Sequence, residues 1–487
     1  MTSHLQPPYN FDEEKVPHSA STSTTYDTSV ALYSLNPADT LDPNSLDNPL
    51  NWSKTHKWIN LSVVAAQAIL SPICSTLLAV GAREVTEEFH VTNTNIAALP
   101  IALFVLGLGL GPLYLAPLSE MYGRRNVYLI SFGIFCLLNV GCAMVKSMAG
   151  LIVLRFLTGL AGSAGPSLGG GTIGDMFRRE ERGGAQAVYG FGPTFGPAIG
   201  GLIGGYISQR AGWRWLMWIM AISSGLTTIL SVFFLRETYA PYIHARKQGK
   251  LSATAKDGFK HTLLRPIRML LFAPIATTMS LYMAIVYGIL YLHLTTIPLL
   301  FGPKPSFGLF TYKWTGGNDG LAYLGAGTGC YASIIVCLFT LNRSYCWLCR
   351  RYKTEKPEFQ MPFMQLGMFI IPIGLFLYGW SANAQLHFII PLLGACIFAF
   401  GVFMTYICVQ TYLVDAFQDY SASALAANIL LRSIFGAVFS IVGEDLYKHY
   451  GYGWGTSILG FISCAALPIP FLFWRYGPVL RAKPFLV

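Results

Sequence analysis

Long apolar stretches separated by short polar segments recur along the chain from Trp58 to Trp474. An α-helix rises about 1.5 Å per residue, so about 20 apolar residues cross the hydrocarbon core of a bilayer, which is about 30 Å thick. Twelve stretches of the chain reach this length. The predicted transmembrane helices, called spans 1 to 12 in chain order, cover residues 58–80, 96–117, 127–145, 151–173, 185–207, 213–235, 269–300, 321–341, 362–380, 388–409, 421–442 and 454–474.

A charged segment between spans 6 and 7 divides the predicted helices into two groups of six. The N-terminal segment is rich in Ser, Thr, Pro, Asn and Asp and lacks an apolar run, which predicts a disordered tail without a cleavable signal. The sequence therefore predicts an all-α membrane protein built from two six-helix halves. Its predicted parts are the tail (1–54), the first half (55–235), a central loop (236–268), the second half (269–474) and a C-terminal segment (475–487).

Composition and charge support this class of protein. Hydrophobic residues make up 53% of the chain and charged residues 11%, whereas about a quarter of an ordinary soluble domain is charged. The net charge is +10, but the Lys and Arg residues lie in loops rather than in one basic patch, which excludes a nucleic-acid partner. Of the 33 Lys and Arg residues, 24 fall on the side of the two termini and 7 on the other. By the positive-inside rule, both termini are predicted to be cytosolic.

The membrane environment also limits the expected partners and chemistry. We expect a monomer in contact with the lipid bilayer, in the plasma membrane or alternatively the vacuolar membrane. No second C-x-x-C or His pair accompanies Cys346 and Cys349, so the sequence predicts no metal site. The spans contain no cluster of His or carboxylates at acid–base spacing, which argues against an enzyme.

The loop between spans 2 and 3 combines an acid, a glycine and two arginines, namely Glu120, Gly123, Arg124 and Arg125. A glycine permits a tight turn between two helices, and charges at fixed offsets from it can bond neighbouring helix ends. An ordinary basic loop would explain the two arginines. It would not explain the acid and the glycine, so the pattern favours a latch between helix ends.

This loop resembles the G-x-L-x-D-R-x-G-R-R signature of the major facilitator superfamily. The sequence has Glu120 in place of the signature Asp, Ala116 in place of Gly and Met121 in place of Arg. The resemblance implies that Glu120, Gly123 and Arg124 form a cytosolic latch that holds the outward-facing state closed. The missing arginine at Met121 removes one contact from that latch.

A second charged group lies at the predicted cytosolic end of span 4. Asp175 and Arg178 stand there beside further basic residues. In the superfamily the corresponding acid is the charge-relay partner of the loop between spans 2 and 3, and the resemblance implies the same role here. A solvated basic loop is the alternative.

Span 5 combines glycines at a four-residue spacing with prolines. Gly192, Gly196 and Gly200 lie on one helical face and permit close approach of another helix, while Pro197 removes a backbone hydrogen bond and favours a bend. Together with Gly201, the stretch resembles the G-x-x-x-G-P-x-x-G-G motif of the proton-driven antiporters of the superfamily. The resemblance implies export in exchange for protons, and a packing seam without a transport role is the alternative.

Other segments narrow the resemblance to the twelve-span drug:proton antiporters of fungi. They include residues 47–53 (D-N-P-L-N-W-S) before span 1 and 236–239 (R-E-T-Y) after span 6. The resemblance extends over nearly the whole chain beyond the tail. It implies two halves that rock about a central site. Protons are the coupling ion, driven by their gradient, and no other cofactor is expected.

Ionisable side chains inside the spans are candidate functional groups, because a charge within the bilayer is costly unless it faces a partner or a cavity. Arg155 matches the span 4 arginine that the superfamily associates with proton coupling, but it could also extend to the outer membrane interface. Arg432 could contact the substrate or pair with a helix end. His293 could transfer a proton near neutral pH.

The superfamily places spans 1, 4, 7 and 10 around a site at the middle of the membrane. The resemblance therefore implies that polar and aromatic residues of those spans line a cavity, although each could equally be a packing residue. The candidates are Gln67, Tyr282, Tyr287, Tyr406 and Gln410.

No Asp or Glu lies in the middle of any span, and this absence disfavours a cationic cargo. We therefore expect a neutral or anionic cargo, such as a secondary metabolite, an organic acid or a xenobiotic. Two alternatives to an exporter are a facilitator or importer of the same fold and a membrane receptor that moves no cargo. The first would show efflux that does not depend on a proton gradient, whereas the second usually has a long cytosolic tail.

Overall fold

The structure is a computed structural model that describes residue 45 and residues 47–178, 181–247, 255–305, 308–354, 356–417 and 421–481. Most of the predicted tail and the last six residues of the chain lie outside the described residues. The helices are α1 Lys54–Glu88, α2 Thr94–Tyr122, α3 Arg124–Met144, α4 Met148–Gly162, α5 Ala164–Met176, α6 Arg182–Ala211, α7 Trp213–Phe234, α8 Ala240–Lys247, α9 Ala255–Phe272, α10 Pro274–Phe301, α11 Tyr323–Tyr352, α12 Met361–Asn383, α13 Ile389–Ala416, α14 Ser421–Ala466 and α15 Pro468–Arg481. Short 3₁₀ helices cover Pro49–Asn51, Asn318–Ala322 and Pro357–Gln360.

The helices account for the twelve predicted spans. Ten helical segments of the described chain are long and apolar enough to cross a membrane. One of them, Ser421–Pro478, contains two spans, because Gly451 has a φ of 68° and breaks α14. The helix α6 is rich in glycine and is not one of these ten segments, but its 30 residues extend for about 45 Å and form the remaining span. The all-α fold predicted from the hydropathy pattern is confirmed.

The structure changes the predicted boundary between the central loop and span 7. The central loop contains two helices, α8 and α9, and α9 continues to Phe272. The backbone of Ala273 is extended and Pro274 is the first residue of α10. A proline has no N–H to donate and suits the first turn of a helix, so span 7 begins at Pro274 rather than at residue 269.

Buried apolar side chains form two separate cores. One core extends along the chain from Leu61 to Leu235 and the other from Met269 to Phe473. Helices α1 to α7 build the first, and helices from α9 to α15 build the second. Each half therefore buries its own apolar surface, and the surface between the halves remains available for a cavity.

The halves contact each other through small residues. Helix α2 packs along α14 with Gly109 against Ser433, and α6 packs along α11 with Ala198 against Gly327. A Cβ atom added at Gly327 would lie 2.7 Å from the Cβ of Ala198. Small side chains at these positions let the helix backbones approach closely, as in other membrane helix pairs.

Candidate transport pathway

A cavity of about 90 Å³ lies between the two halves. Three of the residues that line it are the α1 and α6 prolines Pro72, Pro193 and Pro197. A proline within a helix removes one backbone hydrogen bond, so these positions are points where the helices can bend next to the cavity. From the second half, the lining includes Met283, Tyr287, Leu290, Tyr291, Tyr406 and Arg432.

Of the described residues that line the cavity, Arg432 is the charged one. Its guanidinium carbon lies 4.7 Å from the ring centroid of Tyr287 and 5.1 Å from that of Tyr406. Contacts of this kind stabilise a cation electrostatically but leave its charge in place. No ion pair of the described residues includes Arg432.

Polar groups next to Arg432 form a partly satisfied network. The Gln410 side-chain amide donates to the Tyr406 hydroxyl at 3.0 Å, and the Tyr291 hydroxyl donates to the Ser75 hydroxyl of the first half at 3.2 Å. Within the described part of the chain, Arg432 Nε and Gln410 Oε1 are buried and have no hydrogen-bond partner. One donor and one acceptor in this group of side chains therefore remain unused.

The predicted cavity residues divide between the cavity and the cores. Tyr287 and Tyr406 line the cavity and Gln410 bonds to Tyr406. Tyr282 lies in the core of the second half, and Gln67 is buried in the first half, where it donates to Ser231 at 2.8 Å. Five residues of a helix span about 500°, so Tyr282 and Tyr287 lie on different faces of α10 and only one of them faces the cavity.

Arg155 lies in the interior of the first half rather than at the membrane interface. Its side chain has no exposed surface and donates to the carbonyl oxygens of Cys74 at 2.8 Å and Pro100 at 3.3 Å. Its guanidinium carbon also lies 4.3 Å from the ring centroid of Phe104. Arg155 therefore joins α4 to α1 and α2, and the structure excludes the alternative in which it extends to the interface.

His293 lies in the core of the second half and is absent from the cavity lining. Its ring centroid is 4.6 Å from that of Tyr378 and 5.2 Å from that of Phe398. Both ring nitrogens are buried without a hydrogen-bond partner among the described residues. An imidazole in this setting packs as an apolar ring, and a proton could reach it only after the surrounding helices separate.

The latch lies at one end of the bundle, called the latch end. Arg124 forms an ion pair with Asp175, whose carboxylate also accepts from the Thr238 hydroxyl at 3.3 Å. The Arg124 and Asp175 side chains are 12% and 18% exposed. The guanidinium carbon of Arg124 lies 5.2 Å from the ring centroid of Tyr239. The latch therefore joins α3, the end of α5 and the segment after α7.

Two predicted latch residues stand outside this ion pair. Glu120 is exposed at the end of α2 and interacts electrostatically with Arg124 and with Arg265 of α9. Arg178 is exposed, and Arg182 occupies the helix end instead, donating to the carbonyl oxygens of residues 174 and 177 at 2.9 and 3.0 Å. Among the described residues, the acid that forms an ion pair with Arg124 is therefore Asp175, whereas Glu120 acts on Arg124 from a longer distance.

Glu237 is a latch residue that the sequence motif alone does not identify. Its carboxylate accepts from the backbone N–H groups of Arg124 at 2.9 Å and Arg125 at 3.1 Å, which are the first residues of α3. A carboxylate at a helix N-terminus satisfies otherwise unpaired N–H groups and complements the helix dipole. Gly123 has a φ of 84°, and a Cβ there would collide with the Glu237 side chain.

We expect Glu237→Gln to lower the free energy of unfolding by about 1–2 kcal/mol, because the amide keeps one acceptor but loses the charge that caps α3. Thermal unfolding of the purified protein in detergent measures this change. Glu87→Gln is the matched control, since Glu87 is 61% exposed and pairs with Arg83, which is 43% exposed and lies one turn earlier on the same helix. Equal shifts for the two variants would contradict the capping role.

Two faces of α6 have different neighbours. Gly192, Gly196 and Gly200 pack against α1 of the same half, and an added Cβ at Gly200 would lie 2.5 Å from the carbonyl oxygen of residue 73. Gly201, on the adjacent face, lies against the ring of Tyr323 in the second half. The predicted glycine seam is therefore the contact between α6 and α1, whereas Gly201 belongs to the contact between halves.

Side chains at the opposite end of the bundle join the two halves, and we call this group the clasp. The Gln209 amide oxygen of α6 accepts from the Gly317 N–H at 2.7 Å, and its NH₂ donates to Asp319 at 3.0 Å. The Tyr206 hydroxyl donates to the Asn318 side chain at 3.1 Å. These bonds cross from the first half to the second, so the clasp holds the two halves together at this end.

We expect Gln209→Ala to open the clasp, because it removes both hydrogen bonds of the amide while leaving α6 intact. Hydrogen–deuterium exchange of the peptide that covers residues 316–322 should accelerate about tenfold, as the loss of roughly 1.4 kcal/mol would produce. Gln186→Ala makes the same change at an exposed position of the same helix and should leave that exchange unchanged. Unchanged exchange in Gln209→Ala would contradict the assignment.

A comparison with known protein families agrees with this geometry of two helical halves, a shared cavity and contacts at both ends. The profile of the Major Facilitator Superfamily matches residues 64–441. The chain belongs to the major facilitator superfamily. As a member of this superfamily it is a transporter rather than an enzyme.

Relatives within the superfamily are named as fungal transporters. The MFS-type transporter penM of Penicillium rubens is 39% identical over 457 residues, which cover 91% of this chain and 89% of penM. The MFS-type transporter atr4 of the fungus Stereocaulon alpinum is 40% identical over 455 residues, covering 90% of this chain and 81% of atr4. The family assignment thus holds over almost the full length of the described helices.

Solved structures of the superfamily share the fold. The partially occluded, inward-open conformation of the xylose transporter XylE from E. coli has a TM-score of 0.66 over 89% of this chain and 100% of XylE. The two sequences are 15% identical, so this similarity shows the fold and carries no information on the cargo.

Proposed function

We propose that this superfamily member exports a small organic molecule, neutral or anionic, in exchange for protons. In the proposed cycle the two halves rock about the cavity, and the clasp and the latch end open in turn. The latch end faces the cytosol, as the distribution of Lys and Arg predicts, and the protein acts as a monomer in the plasma membrane. The clasp then closes the cavity to the exterior in this conformation.

The arrangement of α6 is the observation that supports this proposal most directly. Pro193 and Pro197 line the cavity, while Gly201, one turn further, contacts the second half near the clasp. A bend at the prolines would therefore move the clasp contacts and the cavity wall together. The antiporter-like glycine and proline motif of span 5 therefore lies where the movement of the cavity wall and the movement of the clasp would be coupled.

Efflux from intact cells tests this proposal. Yeast cells without their own major exporters would express the protein, take up a mixture of fungal secondary metabolites and be analysed by mass spectrometry. We expect lower cell contents of some compounds than in cells without the protein, and restoration of those contents by a protonophore. Efflux that the protonophore leaves unchanged would identify a facilitator, and higher cell contents would identify an importer.

A further inference from the structure

We propose that Arg432 binds the ionised acid group of the cargo, and that the cargo is a monoanionic organic acid with a flat apolar body. The acid group is a carboxylate. This inference rests on the proposed function only in taking the cavity as the cargo site. Its test is a binding measurement, so this inference can fail while the proposed export holds. The proposed export can likewise fail while this inference holds.

The charge balance of the cavity is the first reason. An arginine stays protonated in proteins. The rings of Tyr287 and Tyr406 contact the Arg432 guanidinium, and the Tyr406 hydroxyl also accepts a hydrogen bond from it. Among the residues that the structure describes, no Asp or Glu lines the cavity and no ion pair includes Arg432. A charge inside a membrane protein requires a partner, and a bound anion would supply it.

The free hydrogen-bonding groups are the second reason. The Nε of Arg432 is buried and unused, and a guanidinium presents its N–H groups in a fork that matches the two oxygens of a carboxylate. The Tyr406 hydroxyl accepts from Gln410, which leaves its own hydrogen available to donate. Donors from Arg432 and Tyr406 therefore stand ready for the oxygens of one acid group.

The rest of the lining determines the body of the ligand. The neighbours of this polar group are apolar or aromatic, namely Met283, Leu290, Leu294, Val402, Phe403 and the ring of Tyr291. Aromatic rings favour stacking with flat groups, and an apolar wall favours apolar atoms. A cationic ligand would be repelled by Arg432 without a compensating carboxylate.

Matched pairs of small probes test the inference with the purified full chain. The probes are 2-naphthoate, 2-naphthamide and 2-naphthylmethylammonium, followed by indole-3-acetate and indole-3-acetamide. Their affinities are obtained from ligand-dependent thermal stabilisation at constant ionic strength. We expect the acids to bind at least about tenfold more tightly than the amides, as a charged hydrogen bond in a partly buried site provides. The ammonium probe should show no binding.

Variants then assign the preference to Arg432. Arg432→Gln should weaken binding of the acids by about 10- to 100-fold and leave the amides unchanged, whereas Arg432→Lys should restore part of the preference. Arg351→Gln is the matched control, because Arg351 is exposed and its guanidinium carbon lies 5.2 Å from the ring centroid of Trp347, outside the cavity. Gel filtration confirms that each variant is folded.

Several results would overturn the inference. They are equal binding of acids and amides by the wild-type protein, preferred binding of the ammonium probe, and no binding of any acid. An acid preference that persists in Arg432→Gln would also overturn it. Tyr406→Phe keeps the ring and removes the hydroxyl, so it should weaken binding of the acids less than Arg432→Gln does.

Discussion

Replacing Gly200 by valine is expected to abolish transport and to destabilise the protein by about 3 kcal/mol, at the upper end of the usual cost of overpacking. The first added carbon would lie 2.5 Å from the carbonyl oxygen of residue 73 and from the Thr76 hydroxyl. A backbone carbonyl cannot move aside without distorting α1. The two helices would therefore separate along the seam that positions Pro72 and Pro197 at the cavity.

Two further variants make this prediction specific. Gly184→Val changes the same helix where an added Cβ meets nothing within 4 Å, and it should retain transport. Gly201→Val pushes against Tyr323 of the second half, so it should disfavour the closed clasp while keeping the α1–α6 contact. Thermal unfolding and hydrogen exchange of residues 316–322 distinguish the two effects. Similar stability of Gly200→Val and Gly184→Val would contradict the importance of the seam.

Replacing Arg124 by glutamine is expected to cost about 3–5 kcal/mol, because it leaves the Asp175 carboxylate without its buried partner. The Arg124 and Asp175 side chains are 12% and 18% exposed, so solvent screens the lost interaction only weakly. The double variant Arg124→Gln with Asp175→Asn removes both charges and should recover a large part of the loss. Thermal unfolding midpoints of the wild-type protein and of these two variants measure this recovery.

An exposed pair provides the control for the latch. Arg83 and Glu87 lie 3.0 Å apart and are 43% and 61% exposed, so Arg83→Gln should change stability by less than about 1 kcal/mol. If Arg124→Gln and Arg83→Gln had equal effects, the latch would be no stronger than a surface ion pair. If the double variant were less stable than Arg124→Gln, the unpaired charge of Asp175 would not be the cause of the lost stability.

The fold could be predicted from the sequence because the bilayer imposes a minimum length on each apolar stretch. Hydropathy located every span, including α6, whose glycines lower its hydropathy below that of its neighbours. It could not locate the start of α10, because α9 is itself apolar near its end and only the proline at residue 274 marks the boundary. Hydropathy also missed helix ends such as that of α1 at Glu88, because the last turns of this helix carry charged residues.

The site was harder to predict, since its contacts join residues that are distant in the chain. Glu237 caps a helix that begins more than 100 residues earlier in the chain. Only the structure, which brings Glu237 next to the N–H group of Arg124, identifies that role. Tyr282 and Tyr287 could have been separated from sequence, because residues 283, 287, 290 and 294 share one face of a helix. The orientation of Arg155 toward α1 and α2 depends on how the helices pack, so it could not be predicted from the sequence.

The central claim is that proton movement in one direction drives cargo movement in the other. Proteoliposomes with an acidic lumen and a neutral exterior, supplied with a fungal metabolite extract, test this claim by mass spectrometry of the lumen. We expect cargo to accumulate in the acidic lumen, to be lost with a protonophore and to be absent with Gly200→Val. Free diffusion would drive a weak acid out of an acidic lumen, so such accumulation requires the protein. Accumulation only when the exterior is acidic, or equilibration without accumulation, would contradict proton-coupled export.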